Sequence, residues 1–209
     1  MDIYRINPKK PPKEIIKICA EKLQNGGIIA HPTETVYGLA ANIFNENAVQ
    51  KIYDIKGRRT AKPLSVMVDS IKKIEEIVGE ISPLARSVAE RYLPGPLTIV
   101  LPFRKPSPIP FFADRETIGF RIPNFPFCLE LLKAVDMPLT TTSANKSGLK
   151  SSVLAVEVMA HFAGEIEILV DSGKTANGLS STVIDLSNDT IRILREGAIS
   201  PEELNQFLY

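Results

Sequence analysis

The chain has 209 residues, of which 44% are hydrophobic and 23% are charged, and its formal net charge is +1. This length and apolar content suffice for one large domain or two small ones, and they exclude a chain that is disordered throughout. The near-zero net charge also argues against a surface that is cationic everywhere, although a local basic patch is compatible with it.

Helical periodicity and glycine stops organise the first half of the chain. Apolar residues spaced three and four apart predict a helix over residues 14–25, which Gly26 and Gly27 end. A short apolar strand at residues 28–30 follows, and a second helix around residues 48–53 should end at Gly57. The pattern then predicts strands at 64–68, 97–101 and 117–122, and helices at 71–78 and 84–93.

The second half continues the interleaving of strands and helices after a proline-rich loop at residues 102–110. Helices are predicted at 125–135 and 153–162, and strands at 138–142, 166–171, 182–186 and 191–194. Ser200 and Glu203 form the pattern of a capping box that opens a short final helix. This alternation indicates an α/β fold, and the three closing strands favour a mixed sheet. We expect a single domain over residues 1–209, with its core at about 14–200.

Cysteine and histidine usage indicates a protein of a reducing compartment. Cys19 and Cys128 lie far apart and are too few for a disulfide scaffold or a structural zinc site. His31 and His161 cannot form a histidine-rich metal centre by themselves. The sequence has no apolar run of the roughly 20 residues that a membrane span needs, and its start resembles no signal peptide. We therefore expect a cytoplasmic protein without a membrane partner.

The familiar nucleotide-binding and hydrolase motifs are absent from the sequence. Gly173-Lys174-Thr175 resembles the end of a P-loop, but Ile168 stands where that motif requires its first glycine. The residues after it predict a turn into another strand, whereas a P-loop opens a helix.

Two polar segments in the first half follow predicted elements at positions where ligands bind in α/β folds. Residues 31–39 combine threonine hydroxyls, a carboxylate and a phenol, which suits either a ligand site or an ordinary capped turn. Residues 56–64 contain four cations, which suit either phosphate binding or a solvated basic turn.

Two further polar segments lie in the second half. Residues 140–148 supply five hydroxyls and an amide after an apolar strand, and these groups suit a nucleotide or a plain polar loop. Residues 178–183 are rich in serine and threonine, and Arg195 ends the next strand. A single arginine at a strand end is often only a surface residue.

Taken in order, these segments resemble the YrdC/Sua5 family of threonylcarbamoyl-AMP synthases, in its short single-domain form. The resemblance covers residues from about 26 to about 201. It is carried by Pro32-Thr33-Glu34-Thr35-Val36-Tyr37-Gly38-Leu39, Lys56-Gly57-Arg58, Lys62-Pro63-Leu64, Leu93-Pro94-Gly95-Pro96-Leu97-Thr98, Arg121-Ile122-Pro123, Ser143-Ala144-Asn145-Lys146-Ser147-Gly148, Ser181-Thr182-Val183 and Leu194-Arg195-Glu196-Gly197.

The resemblance implies a YrdC-like fold, a twisted mixed open sheet with flanking helices around a concave basic cavity. It also implies a nucleotidyltransferase that condenses L-threonine, bicarbonate and ATP to threonylcarbamoyl-AMP and pyrophosphate. The product would serve N6-threonylcarbamoyladenosine (t6A) formation at position 37 of tRNA, through a downstream tRNA threonylcarbamoyl transferase complex. Mg²⁺ would be carried with ATP, because this ion binds phosphates readily, and no metal site built from protein side chains is expected.

The same resemblance implies roles for particular residues. The implied catalytic residues are Lys56, Arg58, Ser143 and Asn145. ATP-binding is implied for these four and for Lys62, Thr117, Ser151 and Arg195. L-threonine-binding is implied for Thr35, Arg121, Thr141 and Ser181, with Arg121 paired to the threonine carboxylate.

Two departures and three alternatives accompany this interpretation. Lys62 stands where the longer Sua5 proteins often have asparagine, and Met67 where they often have a histidine near threonine. One alternative is a binding module that holds double-stranded RNA or tRNA in the same cavity. A second is a YciO-type paralogue with a different substrate. The third is the carbamoyl-transfer domain of hydrogenase maturation proteins.

Overall fold

Ten strands form one sheet in the computed structural model, which describes residues 1–103, 107, 109–204 and 207. They are β1 (Asp2–Arg5), β2 (Ile29–His31), β3 (Gly38–Ala40), β4 (Ser65–Met67), β5 (Leu97–Pro102), β6 (Thr117–Arg121), β7 (Leu139–Ser143), β8 (Ile168–Asp171), β9 (Thr182–Asp185) and β10 (Arg192–Arg195). Their order across the sheet is β1-β8-β2-β3-β7-β4-β6-β5-β9-β10. Parallel pairs such as β4 with β6 neighbour antiparallel pairs such as β5 with β6, so the predicted mixed sheet is confirmed.

The helices lie where the periodicity placed them, with small shifts at their ends. They are α1 (Lys13–Gln24), α2 (Glu46–Lys56), α3 (Ile71–Val78), α4 (Pro83–Tyr92), α5 (Pro126–Val135), α6 (Ala155–Phe162) and α7 (Pro201–Leu204), with a 3₁₀ turn at Pro110–Phe112. The Ser82 hydroxyl accepts a hydrogen bond from the Ala85 amide at 3.2 Å and caps α4. None of the helices in the described residues is both long and apolar enough to cross a membrane.

Two strands were not predicted, and part of one predicted loop cannot be compared. Strand β1 is short and mostly exposed, and it forms by pairing in parallel with the edge of β8. Strand β3 has only three residues and lies between β2 and β7. The predicted proline-rich loop at 102–110 falls partly on residues 104–106 and 108, which lie outside the described residues.

The two faces of the central strands bury different side chains. Successive residues of a strand point to opposite faces, so Ile28 and Ala30 join one hydrophobic cluster while Ile29 joins another. The second cluster contains side chains of α1 and α5, such as Leu23 and Leu131, which cover that face. Helices therefore flank both sides of this part of the sheet, as expected.

The same alternation on β6 creates a polar surface. Thr117, Gly119 and Arg121 share one face of the strand, while Phe120 points into the core between them. A Cβ on Gly119 would lie 3.1 Å from the Ser65 hydroxyl oxygen and 3.1 Å from Cγ2 of Thr98, so neighbouring strands leave little room here. This polar face is the floor of the cavity described below.

Candidate functional site

An open cavity of about 320 Å³ lies over the polar face formed by β4, β5, β6, β7, β9 and β10. Its polar lining consists mainly of hydroxyl groups and three arginines. These residues are Thr33, Tyr37, Arg58, Ser65, Thr98, Thr117, Arg121, Thr141, Thr142, Ser143, Ser180, Ser181 and Arg195. No carboxylate lines the cavity in the part of the chain that the structure describes.

Arg121 is a buried cation at the end of β6, and it is held by the segment that follows β2. Its Nη2 donates to Glu34 Oε1 at 2.8 Å and to Thr35 Oγ1 at 2.8 Å. Only 9% of the Arg121 side chain and 13% of the Glu34 side chain are exposed. Burial of both partners makes their electrostatic interaction much stronger than that of a surface ion pair.

The segment that holds Arg121 is itself rigid because its threonines are bonded to one another. Thr33 Oγ1 donates to the Val36 carbonyl at 2.7 Å, so the Thr35 hydroxyl is the donor in its 2.8 Å bond to Thr33 Oγ1. Thr35 is fully buried, and its hydroxyl oxygen accepts a hydrogen bond from Arg121, which lines the cavity. The resulting chain of hydrogen bonds fixes the guanidinium before any ligand arrives.

Arg58 and Arg195 approach the cavity from two other elements. The left-handed Gly57 ends α2, after which Arg58 Nε donates to the Lys62 carbonyl and Nη2 to the Pro63 carbonyl, both at 3.0 Å. Arg195 Nη2 donates to the Ser181 carbonyl at 2.7 Å. Burial lowers the pKa of Arg195, and the nearby Arg121 and Arg58 lower it further, so the three cations share one region.

Lys56 lies behind the cavity wall. Its side chain is buried, and Nζ donates to the Ser143 carbonyl and, at 2.7 Å, to the Asn145 carbonyl. The Ser147 amide donates back to the Lys56 carbonyl at 2.8 Å. Burial, followed by the charges of Arg58 and Lys146, lowers the pKa of Lys56 to about 7. The end of α2 and the segment after β7 are therefore bound into one unit.

The predicted site residues divide into three groups by position. Arg58, Thr117, Arg121, Thr141, Ser143, Ser181 and Arg195 line the cavity. Thr35, Lys56 and Asn145 are buried behind its wall and contact lining residues or their neighbours. Lys62 has an exposed side chain, and Ser151 is bonded at 3.1 Å to Ser180, which lines the cavity. Their contacts with a ligand remain predictions.

The structure adds residues that the sequence analysis did not single out. Thr98 lines the cavity and its hydroxyl lies 2.9 Å from the Ser181 hydroxyl. Ser65 and Ser180 also line it. The available signal was weak, because β4 and β5 each contain one hydroxyl residue, Ser65 and Thr98, among apolar ones.

Met67 belongs to the hydrophobic core. It is 1% exposed and packs in the cluster that contains Phe127, Leu131 and Leu139. Helix α5 contributes two of these side chains and covers the sheet at this point. Met67, which stands where the longer Sua5 proteins often have a histidine, therefore packs against α5 and is not among the described residues that line the cavity.

Comparison with known proteins assigns the chain to a family. A family model named Sua5/YciO/YrdC, with the description "Telomere recombination", matches residues 21–197. The chain belongs to this family. The resemblance carried by its short motifs is thus confirmed.

Relatives within the Sua5/YciO/YrdC family cover the chain almost completely. The threonylcarbamoyl-AMP synthase of Pyrococcus abyssi is 38% identical over 92% of this chain and 57% of its own length. A putative threonylcarbamoyl-AMP synthase of Methanocaldococcus jannaschii is 37% identical over 97% of this chain and 94% of its own length. The chain thus spans little more than half of the first relative and nearly all of the second.

Solved structures of the family share the same fold. The crystal structure of Pyrococcus abyssi Sua5 complexed with L-threonine has a TM-score of 0.93 and 36% identity, covering 100% of this chain and 61% of that one. The crystal structure of Escherichia coli YciO has a TM-score of 0.89 and 25% identity, with full coverage of both chains. The expected YrdC-like architecture, a mixed open sheet with flanking helices, is therefore confirmed.

Proposed function

We propose that the chain is a nucleotidyltransferase that makes L-threonylcarbamoyladenylate from L-threonine, bicarbonate and ATP and releases pyrophosphate. The observation that carries this proposal is that two different anion-binding groups line one cavity. Arg121 is bonded to a carboxylate, whereas Arg58 and Arg195 are bonded to carbonyls. We propose that Arg121 and the other two arginines hold different ligands, at two ends of the cavity. We call these the Arg121 end and the Arg58–Arg195 end.

The Arg121 end suits the carboxylate of threonine. Guanidinium groups bind carboxylates through directed, charge-assisted hydrogen bonds. Both bonds that Arg121 makes to side chains of the described residues use Nη2, and we propose that Nη1 binds the ligand. Thr141 and Ser181 line the same cavity and supply hydroxyls for the threonine side chain or amine, with Thr35 acting through Arg121.

The Arg58–Arg195 end suits the phosphates of ATP. Two arginines and the hydroxyls of Ser143 and Thr117 line the cavity there without a bonded carboxylate among the described residues. Lys56 and Asn145 hold the wall that carries Ser143, and a direct contact of either with a phosphate is part of this proposal. Lys62 and Ser151 would complete the nucleotide site at its edge.

The reaction requires two anions to meet, and the cavity lowers the cost of that encounter. Threonine's amine and bicarbonate give a carbamate and water. A carbamate oxygen then bonds to the α-phosphorus of ATP, and the bond to the leaving pyrophosphate breaks. Fixed cations offset the repulsion between the two anions, and fixed positions replace a random encounter by an oriented one.

Mg²⁺ would enter this cavity as part of its substrate. This ion prefers oxygen ligands and commonly binds through the phosphates of ATP. The donor set of the lining, hydroxyls and arginines, does not fit a magnesium site made by the protein alone. We therefore propose that Mg²⁺ is carried with ATP.

The comparisons support this reaction over its alternatives. The relatives named as synthases are 37–38% identical, whereas the YciO structure is 25% identical. A hydrogenase maturation protein, HypF, matches at 22% identity with a TM-score of 0.78, which supports a shared fold. Delivery of the product to a tRNA threonylcarbamoyl transferase complex, and contact with tRNA or double-stranded RNA, remain parts of the proposal.

Incubation of the purified protein with ATP, bicarbonate and labelled threonine tests the proposal. We expect equal amounts of pyrophosphate and labelled adenylate, and loss of both when threonine or bicarbonate is left out. Pyrophosphate release that does not depend on threonine would contradict the proposal. Salt-sensitive binding of tRNA without any adenylate would favour the RNA-binding alternative.

A further inference from the structure

The three arginines of the cavity differ in their partners. Arg121 has a carboxylate partner, whereas Arg58 and Arg195 are bonded to carbonyls and, for Arg195, to the Ser181 hydroxyl, as far as the described residues show. Glu34 supplies that carboxylate although it does not line the cavity. A buried carboxylate beside one cation of three makes the cavity electrically asymmetric.

Glu34 cannot easily leave Arg121, because its main chain is tied to a distant segment. The Asn177 amide donates to the Glu34 carbonyl at 3.0 Å, and the Gly178 amide donates to the Thr35 carbonyl at 3.1 Å. The Glu34 side chain is 13% exposed, so water screens the pair weakly. The negative charge is thus held next to the guanidinium.

We propose that Glu34 is the specificity-determining and positioning residue of the Arg121 end. It holds the guanidinium through Nη2 and cancels its charge, so that this end accepts the single carboxylate of an amino acid and rejects polyphosphate. Polyphosphate is thereby directed to the Arg58–Arg195 end. This inference rests on the proposed function, because it assigns threonine and ATP to separate ends of one cavity.

The physical reason is the difference in charge between the two ligands. An amino acid carries one carboxylate together with a positive amine, so the negative charge of Glu34 costs it little. A triphosphate carries several negative charges on one group, and each of them is repelled by a carboxylate held beside Arg121. Without that carboxylate, Arg121 would attract triphosphate as Arg58 and Arg195 do, and ATP would compete with threonine.

The variant Glu34→Gln removes the negative charge of residue 34 but keeps a hydrogen-bond acceptor that positions Arg121. Its amide oxygen still accepts the bond from Arg121, whereas the negative charge is gone. Isothermal titration calorimetry with inorganic triphosphate should give a stoichiometry of one bound anion per wild-type chain and two per variant chain. Triphosphate should also weaken threonine binding to the variant about tenfold and leave threonine binding to the wild type unchanged.

Three controls make the result specific. Glu75→Gln removes the same charge from another arginine pair, that with Arg86, and should keep the wild-type stoichiometry of one. Glu34→Asp retains the charge and should also bind one anion. The double variant Glu34→Gln with Arg121→Gln should return to one, because the added site is Arg121 itself.

Two results would overturn the inference. One is a Glu34→Gln chain that binds a single triphosphate and whose threonine affinity does not respond to it. The other needs no substitution: competition between triphosphate and threonine for the wild-type protein. Both are binding measurements, so a wild type without turnover would refute the proposed function and leave this test intact.

Discussion

The two proposed ends of the cavity use the same side chain in different ways. At the Arg121 end the arginine is 7% exposed and its charge is paired with Glu34. At the Arg58–Arg195 end both guanidinium groups donate to carbonyls, which carry no net charge. Under our proposal, the partners of each arginine decide which anion it binds.

The largest expected effect comes from the Arg58–Arg195 end. Arg58→Ala should lower kcat/KM for ATP about 10³-fold, because it removes a cation placed where charge develops. The fold should persist, since Arg58 bonds only to carbonyls of its own loop among the described residues. Steady-state pyrophosphate release and thermal unfolding measure the two quantities. The exposed neighbour gives the control Arg59→Ala, and turnover of Arg58→Ala at the wild-type rate would refute the assignment.

A smaller effect, with a different signature, is expected at the Arg121 end. Arg121→Gln should raise KM for threonine about 10²-fold, because one charge-assisted contact to the carboxylate is lost. The affinity for ATP should stay near that of the wild type, since the proposal assigns the phosphates to the other end. Titration of each ligand separately checks the split. Equal losses for threonine and ATP would show that the two ends do not act separately.

The lowered pKa of the buried Lys56 predicts how the stability of the fold depends on pH. Its pKa is lowered from 10.5 to about 7 in the fold, so between these values the unfolded chain binds more protons than the folded one. The free energy of unfolding of the wild type, relative to Lys56→Met, should therefore rise with pH. Between pH 7 and roughly pH 9 the gain should be about 2 kcal/mol, measured by urea unfolding. Parallel pH profiles would exclude a lowered pKa.

The smallest effect is expected where the two ends meet. The Ser181 hydroxyl lies 2.9 Å from that of Thr98 and accepts from Arg195 at 3.2 Å. Ser181→Ala should raise KM for threonine about fivefold, the magnitude of one neutral hydrogen bond. The exposed serine in Ser87→Ala serves as control in the same kinetic assay. An unchanged requirement for threonine would remove Ser181 from the site.

The fold was largely predictable because most of its elements are local in origin. The helix ending at Gly57 and the capping box of Ser200 and Glu203 depend on neighbours within four residues, and both were predicted. Strand β1 was missed because its pairing partner, β8, lies more than a hundred residues away. A pattern of neighbouring residues cannot identify a pairing strand that is distant in sequence.

The sequence named several residues that the structure brings to one cavity, but it did not give their arrangement. Arg58, Ser143 and Arg195 line the cavity, and their contact with ATP stays a prediction. Lys56, in the same motif as Arg58, instead donates to carbonyls behind the wall. Lys56 and Arg58 lie on either side of Gly57, where α2 ends, and packing around α2 buries Lys56 while Arg58 reaches the cavity.

Local order is what the amino-acid sequence determined by itself: the helices, their caps, the apolar strands and the polar segments that follow them. The tertiary structure alone decided that Glu34 lies against Arg121, that Thr98 meets Ser181, and that Lys56 is buried. The reason is that hydrophobic periodicity acts over a few residues, whereas a buried charge acquires its partner only when strands distant in sequence are brought side by side.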